Sequence, residues 1–305
     1  MVKSSTSRLA ECSTELADLA ARGSRSVVSI LLSGRRSVSG ILWRAGYVVT
    51  AAEALADESA SVQVAAESVD RRTASVLGRD PSTDVALLQV EGLTGDGLPS
   101  ADMANVRPGQ LAIALGRSPE HGVIVAFGAV AVAGAPWQSQ LGGRIDRFIR
   151  LGVSLSQAAE GGPVLDPEGR LIGMAVHGPR RALLVIPAPT VARIVEQLLA
   201  RGKISRGYLG VALQPVQLPE TLHAAAGTGV GLLVSSVDPE SGAGRAGMLL
   251  GDVIVALAGE PLRDYRQVQR SLGSESVGAT LQLGVVRAGA LTELHVTVGE
   301  RPGAG

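Results

Sequence analysis

The sequence predicts a mainly β protein built from two modules, a larger one of many short strands and a smaller β-rich one with two helices. Between Ser24 and Val185, short runs of Val, Leu and Ile alternate with turn residues, and glycine accounts for 39 of the 305 residues. Twelve short strands in this stretch favour a barrel or a pair of barrels over alternating strands and helices.

The larger module is predicted to hold all twelve of these strands and a closing helix. The strand segments are SVVSILL, VSGILW, GYVVTA, SVQVAA, TASVLGR, VALLQV, QLAIALG, VIVAFGAVAVAG, RFIRLGV, GPVLD, RLIGMAV and ALLVIP. The helix is APTVARIVEQLLARGK, with one apolar face and Gly202 as its stop. These elements place the first module at residues 24–202.

The N-terminal residues 1–23 are predicted to form an extension with a short amphipathic helix over residues 7–22. Leu9, Cys12, Leu16 and Leu19 recur at helical spacing before Gly23. Two interpretations fit this apolar face: packing against the chain's own domain, or self-association.

The smaller module spans residues 207–300. Its predicted strands are YLGVAL, GLLVSSV, DVIVALAG, TLQLGVVRAG and TELHVTVG, and its predicted helices are SGAGRAGM and DYRQVQRSLG. No internal repeat of fixed period relates it to the larger module.

Composition excludes several function classes. The formal net charge is zero, from 28 basic and 28 acidic residues, so no positive field attracts nucleic acid or an anionic membrane. Cys12 is the only cysteine, and four scattered histidines give no metal-ligand spacing. We therefore expect no cofactor. The sequence as written shows no secretory signal or membrane span, which predicts a cytoplasmic protein; a mis-assigned start would allow a periplasmic or extracytoplasmic one.

Three stretches, taken in order, resemble the HtrA/Deg family of trypsin-like serine proteases that carry a PDZ domain. GYVVTAAEAL resembles the segment that delivers the family's general-base histidine, and GRDPSTDVALLQV the segment that supplies its orienting aspartate. AAEGGPVLDPEGRLIGM resembles the Gly-Asn-Ser-Gly-Gly-Pro stretch that carries the nucleophilic serine. The resemblance covers about Ser26 to Glu300 and implies a trypsin-like double β-barrel followed by a PDZ domain.

The catalytic positions depart from that family. On this match Glu53 stands in place of the histidine, Asp84 is retained, Glu160 replaces the serine, and Ala158 replaces a glycine of the oxyanion turn. A serine protease needs an ionisable hydroxyl and a base that accepts its proton. We therefore expect a pseudoprotease, not an enzyme, which acts as a scaffold, adaptor or chaperone-like protein.

Two other functions remain open at these positions. One is a serine endopeptidase of protein quality control with relocated residues, drawn from Ser154, Ser156, His121 and His177, although a solvated or capping role suits each histidine. The other is a regulator that binds a divalent cation through Glu53, Asp84 and Glu160, because three close carboxylates need a cation or protons. Simpler interpretations are a capping box from Thr50 to Glu53 and a solvent-facing Glu160.

RGYLGVAL resembles the carboxylate-binding loop and first strand of an HtrA-type PDZ domain. The resemblance implies that Tyr208, Leu209, Gly210 and Val211 hold the C-terminal carboxylate of a peptide, which then adds as an edge strand. Val268 and Leu272 either line the groove or face the core. The expected partners are peptides or protein C-termini, and the family resemblance also implies a homo-oligomer, a trimer.

Overall fold

The chain divides into two compact units, residues 1–139 with 144–204, and residues 205–305 with 140–143. The computed structural model describes residues 7–33, 36–56, 61–66, 71–139, 141–179, 182–204, 207–262, 264, 267–268, 271–273 and 276–300.

The first unit contains two closed six-stranded antiparallel barrels, as the sequence predicts. The first barrel has the order β1-β2-β3-β6-β5-β4, and its interior is filled by alternate apolar side chains such as Ile30, Val48 and Leu88. Its strands are β1 (Val27–Leu31), β2 (Ser37–Arg44), β3 (Tyr47–Thr50), β4 (Ser61–Ala65), β5 (Arg71–Asp80) and β6 (Val85–Val90).

The second barrel has the order β11-β14-β13-β12-β7-β8. Its strands are β7 (Leu111–Ser118), β8 (Gly122–Ala133), β11 (Ile149–Leu151), β12 (Pro163–Leu165), β13 (Leu171–His177) and β14 (Leu183–Pro187), and β9 (Trp137–Gln138) pairs separately with β10 (Arg144–Ile145). The twelve predicted strands are the twelve strands of the two barrels, so the predicted double barrel is confirmed.

A shared apolar core joins the barrels and positions the turn between them. Ile41 and Leu87 of the first barrel meet Leu115 and Leu165 of the second in one buried cluster. Helix α2 (Ala188–Arg201) packs on this cluster and ends at Gly202, whose φ of 67° is the left-handed C-cap that the sequence predicts.

The N-terminal helix α1 (Arg8–Gly23) forms as predicted and packs on its own unit. Leu19 and Ala20 are buried in the shared core, whereas Leu9 is 79% exposed and Cys12 is exposed. Only the C-terminal half of the apolar face is therefore covered within the unit. Self-association through the rest of the helix remains a prediction.

The second unit is a β-sheet module with short helices. Its main sheet has the order β16-β17-β18-β20-β21, with β19 paired to β18, and β15 pairs with β22. The elements are β15 (Gly207–Tyr208), β16 (Val211–Gln217), α3 (Glu220–Ala226), β17 (Val230–Val237), α4 (Gly242–Arg245), β18 (Val253–Leu257), β19 (Glu260–Pro261), β20 (Thr280–Arg287), β21 (Ala290–Thr297) and β22 (Gly299–Glu300).

All five strands predicted for this unit form, and SGAGRAGM supplies the short helix α4. Helix α3 is not predicted by the sequence interpretation. Four of the ten residues of the predicted helix DYRQVQRSLG, at positions 265, 266, 269 and 270, lie outside the described residues.

Candidate functional site

The turn that resembles the family's nucleophile turn lies between the two barrels of the first unit. Gln157–Ala159 forms one 3₁₀ turn, followed by Glu160 and two glycines. Gly161 has a φ of 81°, and a side chain there would overlap the Ser39 carbonyl. A side chain at Gly162 would overlap the Leu115 carbonyl. Both glycines are therefore required by backbone geometry.

The buried residue Ser39 on β2 holds this turn in place. Its N–H donates to the Glu160 carbonyl at 2.8 Å and its hydroxyl donates to the Ala158 carbonyl at 2.7 Å. The hydroxyl also accepts from the Arg117 N–H at 2.8 Å, and the Ser39 carbonyl accepts from the Thr50 hydroxyl at 2.7 Å. Ser39 thus links the first barrel, the turn and the second barrel through four hydrogen bonds. The sequence interpretation missed it.

Asp84 is the central member of the three carboxylates. Its Oδ1 accepts from the Glu53 N–H at 2.8 Å, and its backbone lies in the left-handed region, with a φ of 58°. The pKa of Asp84 is raised to about 7. Burial is the largest cause, and the negative charges of Glu160 and Glu53 also raise the pKa, whereas hydrogen bonds from the Glu53 and Ala52 N–H groups lower it. The structure therefore brings the three positions within electrostatic reach of one another.

Glu53 does not form the capping box expected from TAAE. The Thr50 hydroxyl donates to the Ser39 carbonyl, and the 3₁₀ helix Glu53–Leu55 has Ala52 as its N-cap residue and no side-chain cap. Glu53 itself is exposed. The capping interpretation fails because Thr50 has a tertiary partner.

Glu160 turns inward and pairs with His177, the last residue of β13. Its Oε1 lies 3.3 Å from the His177 Nδ1 and accepts from the His177 N–H at 3.3 Å. The Glu160 side chain is only 14% exposed, so its predicted solvent-facing orientation is wrong. The Nε2 of His177 lies 3.3 Å from the Leu155 carbonyl, so this histidine is neither merely solvated nor a helix cap.

The turn's N–H groups are occupied by internal hydrogen bonds. The Glu160 N–H donates to the Gln157 carbonyl at 3.1 Å, and the Gly161 N–H donates to the Ala175 carbonyl at 2.8 Å. The Gly162 N–H donates to the Ala159 carbonyl at 3.1 Å. An oxyanion-binding arrangement at Ala158 and Glu160 would require this turn to rearrange.

A cavity of about 840 Å³ adjoins the turn. Ser156, Ala158 and Glu160 line one side of it, and Arg36, Arg71 and His121 are also among its lining residues. Of the histidines considered in the sequence, His177 pairs with Glu160, whereas His121 lies at this cavity.

The three carboxylates do not form a metal site in this geometry. Within the described ranges, no group of three or more His, Cys, Asp or Glu side chains is arranged to hold a metal ion. The cation-binding hypothesis therefore has no geometric support.

In the second unit, the loop Tyr208–Val211 precedes an open strand edge. The Leu209 carbonyl accepts from the Ala243 N–H at 3.1 Å, and the Gly210 carbonyl accepts from the Asp238 N–H at 2.7 Å. Gly210 has a φ of 83°, and a side chain there would overlap Ser241. These contacts fix the orientation of the loop's peptide planes.

The two predicted groove residues differ in their surroundings. Val268 is 2% exposed and belongs to the apolar core of the unit. Leu272 is half-buried against that core, and its carbonyl accepts from the Gly207 N–H at 3.0 Å, next to the loop. The core-facing interpretation fits Val268, and Leu272 lies beside the predicted carboxylate loop.

Two family descriptions match the chain. The trypsin-like peptidase domain matches residues 38–174, and the PDZ domain matches residues 207–298. The double barrel and the following sheet module are therefore a trypsin-like peptidase fold and a PDZ fold.

Curated relatives match most of this chain. The chain is 30% identical over 265 residues to "Probable periplasmic serine endoprotease DegP-like" of Bartonella henselae. This match covers 84% of this chain and 52% of the relative. It is 31% identical over 269 residues to the protein of the same name from Brucella suis. That match covers 84% of this chain and 51% of the relative. The chain thus spans about half the length of the curated relatives it matches.

Solved structures agree on the fold. "HtrA-type protease AlgW with tripeptide" superposes with a TM-score of 0.67 at 25% identity, covering 94% of this chain and 97% of that one. "Crystal structure of the serine endoprotease from Yersinia pestis" superposes with a TM-score of 0.69 at 22% identity. That superposition covers 93% of this chain and 98% of the other.

The chain belongs to the HtrA/DegP family of trypsin-like proteases with a PDZ domain. The expectation that it is not an enzyme is wrong: curated relatives are named serine endoproteases, and the structural neighbours include HtrA-type proteases. By the sequence resemblance, Glu53 and Glu160 correspond to the histidine and serine positions of the family's triad. These two substitutions alone do not show that activity is lost.

The expected cytoplasmic location has no support from these relatives, which are named periplasmic. Among the described helices, none combines the length and the apolarity needed to cross a membrane.

Proposed function

We propose that this chain is a serine endopeptidase of protein quality control that uses relocated catalytic residues and whose PDZ domain binds C-terminal segments. One observation carries the enzymatic part: at the nucleophile turn, a carboxylate faces the Nδ1 of an imidazole at 3.3 Å, in the pair Glu160–His177. A carboxylate on one ring nitrogen orients the other as a base in serine hydrolases. The names of the curated relatives support the same reaction class.

Ser156 is the proposed nucleophile because it lies one residue from Leu155, whose carbonyl faces His177 Nε2, and because it lines the cavity beside Glu160. In the proposed reaction, the Ser156 hydroxyl attacks the substrate carbonyl and passes its proton to Nε2. That proton then protonates the leaving amine, and water hydrolyses the resulting ester. Before it can act as a base, Nε2 must release the proton with which it contacts the Leu155 carbonyl and turn to the Ser156 hydroxyl, so that the neutral ring carries its proton on Nδ1, facing Glu160.

Replacement of Ser156 by alanine is expected to lower cleavage of an unfolded, fluorescently labelled protein by at least ~100-fold, because no other hydroxyl replaces the nucleophile. His177→Gln is expected to reduce it similarly through loss of the base. Ser154→Ala is the matched control and should retain most of the rate.

Equal rates for Ser156→Ala and the parent protein would contradict this assignment, as would the absence of cleavage by the parent protein. A fluorophosphonate probe gives an independent readout, since it should label the parent protein and not Ser156→Ala. The double variant Glu53→His, Glu160→Ser reports separately whether the fold supports the family's usual triad.

The peptide-binding part of the proposal rests on the loop Tyr208–Val211. A run of backbone N–H groups in such a loop binds an anion, and positive φ at Gly210 gives the tight backbone that this requires. The strand β16 that follows is at the edge of its sheet, so a bound peptide has backbone partners next to its carboxylate. Leu272 lies beside this loop as a proposed groove residue.

A fluorescent decapeptide with an apolar C-terminus is expected to bind at least ~10-fold more tightly with a free carboxylate than with a C-terminal amide, because the amide removes the charge. Gly210→Ala should abolish this difference. Gly289→Ala is a matched control, because Gly289 has the same φ of 83° and its Cβ would meet open space. Equal affinity for both peptides, measured by fluorescence anisotropy, would rule out the carboxylate loop.

Three further parts of the function are proposals. The relatives' names support an extracytoplasmic location, which fractionation of the native host tests. Separate folding of residues 24–202 and 207–300 is tested by limited proteolysis. A homo-trimer is tested by sedimentation, with Leu9→Glu on the exposed half of α1 as the variant.

A further inference from the structure

The backbone of β16 presents a free edge of alternating polar groups. Its one sheet neighbour among the described strands is β17, with Leu213 opposite Val234 and Pro215 opposite Leu232. The Val234 N–H donates to the Asp252 carbonyl and its own carbonyl accepts from the Gly251 N–H, both on the side away from β16. By the antiparallel alternation, the polar groups of Leu213 and Pro215 point to the free edge.

Pro215 therefore interrupts this edge. Proline has no N–H, so an added strand finds a donor at Leu213 and none at Pro215. A peptide that pairs with β16 finds only the Pro215 carbonyl as a backbone partner at this point, so it forms one backbone hydrogen bond there instead of two, and side-chain contacts contribute more to binding at this position.

A pocket of about 350 Å³ opens at the same point. Pro215, Leu232 and Leu262 give it apolar walls, and Gln217 and Asp264 contribute polar groups to its lining. Leu232 and Leu262 belong to the apolar core of the unit and are 2% and 1% exposed, so the walls are rigid. A pocket of this size and chemistry accepts one leucine or phenylalanine side chain.

We propose that the PDZ domain selects C-terminal segments that carry a large apolar side chain four residues before the C-terminal residue. This inference rests on the proposed carboxylate loop at Tyr208–Val211. A segment anchored there and paired with β16 runs antiparallel to it, towards Gln217. With its last residue opposite Val211, the fourth residue before it lies opposite Pro215, at the pocket.

The directions in which side chains point from β16 also place the fourth residue before the C-terminal residue at the pocket. Successive side chains of a strand alternate between its two faces, and directly opposed residues share a face. Val211 and Leu213 pack on the core side of β16, as does Leu232, the partner of Pro215. Side chains at the C-terminal residue and at two and four residues before it therefore face the groove, whereas those at one and three residues before it face away.

The test uses the full-length protein and decapeptides with a free carboxylate, titrated by fluorescence anisotropy. Changing leucine to alanine four residues before the end is expected to weaken binding about tenfold through lost apolar contact. The same change three residues before the end is the control and should alter the affinity less than twofold. Equal effects at the two positions, or no effect at either, would overturn the proposal.

A protein variant tests the role of Pro215. Pro215→Val restores an N–H on an exposed edge position and should tighten decapeptides about threefold, because one backbone hydrogen bond is added. A tetrapeptide, which ends before this position, should bind the variant and the parent equally. Equal affinity of the decapeptide for both proteins would contradict the assigned edge geometry.

The outcomes separate the two levels of the proposal. If the amidated peptide binds as well as the free acid, the carboxylate loop is wrong and the pocket assignment falls with it. If the free acid binds more tightly but the residue at the pocket has no effect, only the selectivity inference fails.

Discussion

The Asp84→Asn variant will be more stable than the parent protein above pH 7 and will lose this advantage near pH 4. The pKa of Asp84 is raised from 3.8 to about 7, so the folded protein holds a proton that the unfolded chain releases at neutral pH. Asparagine has no proton to release and can still accept the hydrogen bond from the Glu53 N–H. The gain is expected to be on the order of 2 kcal/mol at pH 8.

The sign of this effect fixes the pH window. The pKa of Asp84 is higher in the folded protein than in the unfolded chain. The parent protein therefore loses stability as the pH rises from about 4 to about 7, and it loses no more stability above pH 7. Urea unfolding followed by tryptophan fluorescence measures the first unit specifically, since Trp43 and Trp137 both lie there. Glu120→Gln, at an exposed site, is the control. A stability difference between Asp84→Asn and the parent protein that stays constant from about pH 4 to 8 would contradict the raised pKa of Asp84.

Asp252→Ala will destabilise the PDZ unit by on the order of 2 kcal/mol. Asp252 is 1% exposed, and its two oxygens accept from Arg287 Nε at 2.8 Å and Arg287 Nη2 at 2.7 Å. Its Oδ2 also accepts from the Leu249 N–H at 2.8 Å. Alanine leaves these donors without their acceptor. Hydrogen exchange in peptides from residues 230–300 should show faster exchange in the variant.

The pH dependence of this second effect has the opposite sign. Hydrogen bonds from Arg287 hold the pKa of Asp252 below its usual value, so the stabilisation is present above about pH 4 and declines on further acidification. Exchange in the variant and the parent should therefore converge at low pH. Glu260→Ala, an exposed change in the same unit, should exchange like the parent at every pH.

The strands could be predicted because each is encoded locally. The run VALLQV becomes β6, and its apolar residues are buried because every one of them fits a barrel wall. Gly161 and Gly162 could likewise be assigned to a tight turn, since the sequence dipeptide indicates the backbone it permits. In each case the determining residues are neighbours in sequence.

The pairings at the site could not be predicted, because each joins residues distant in sequence. Thr50 and Glu53 match a capping box, yet the Thr50 hydroxyl bonds to Ser39, which no local pattern indicates. The pair of Glu160 and His177 arises only because β13 returns beside the turn. Family resemblance identified the positions, whereas the partners that decide their chemistry depend on tertiary contacts.

Pro215 also has a consequence for solubility. An exposed edge strand with a full set of donors and acceptors is a template for pairing with the same strand of another copy, which leads to aggregation. The missing N–H of Pro215 removes one donor from that template in the middle of β16 and leaves the stretch next to the proposed carboxylate loop unchanged. We therefore expect the residue that removes one backbone donor for a bound peptide also to weaken edge-to-edge association of the folded protein.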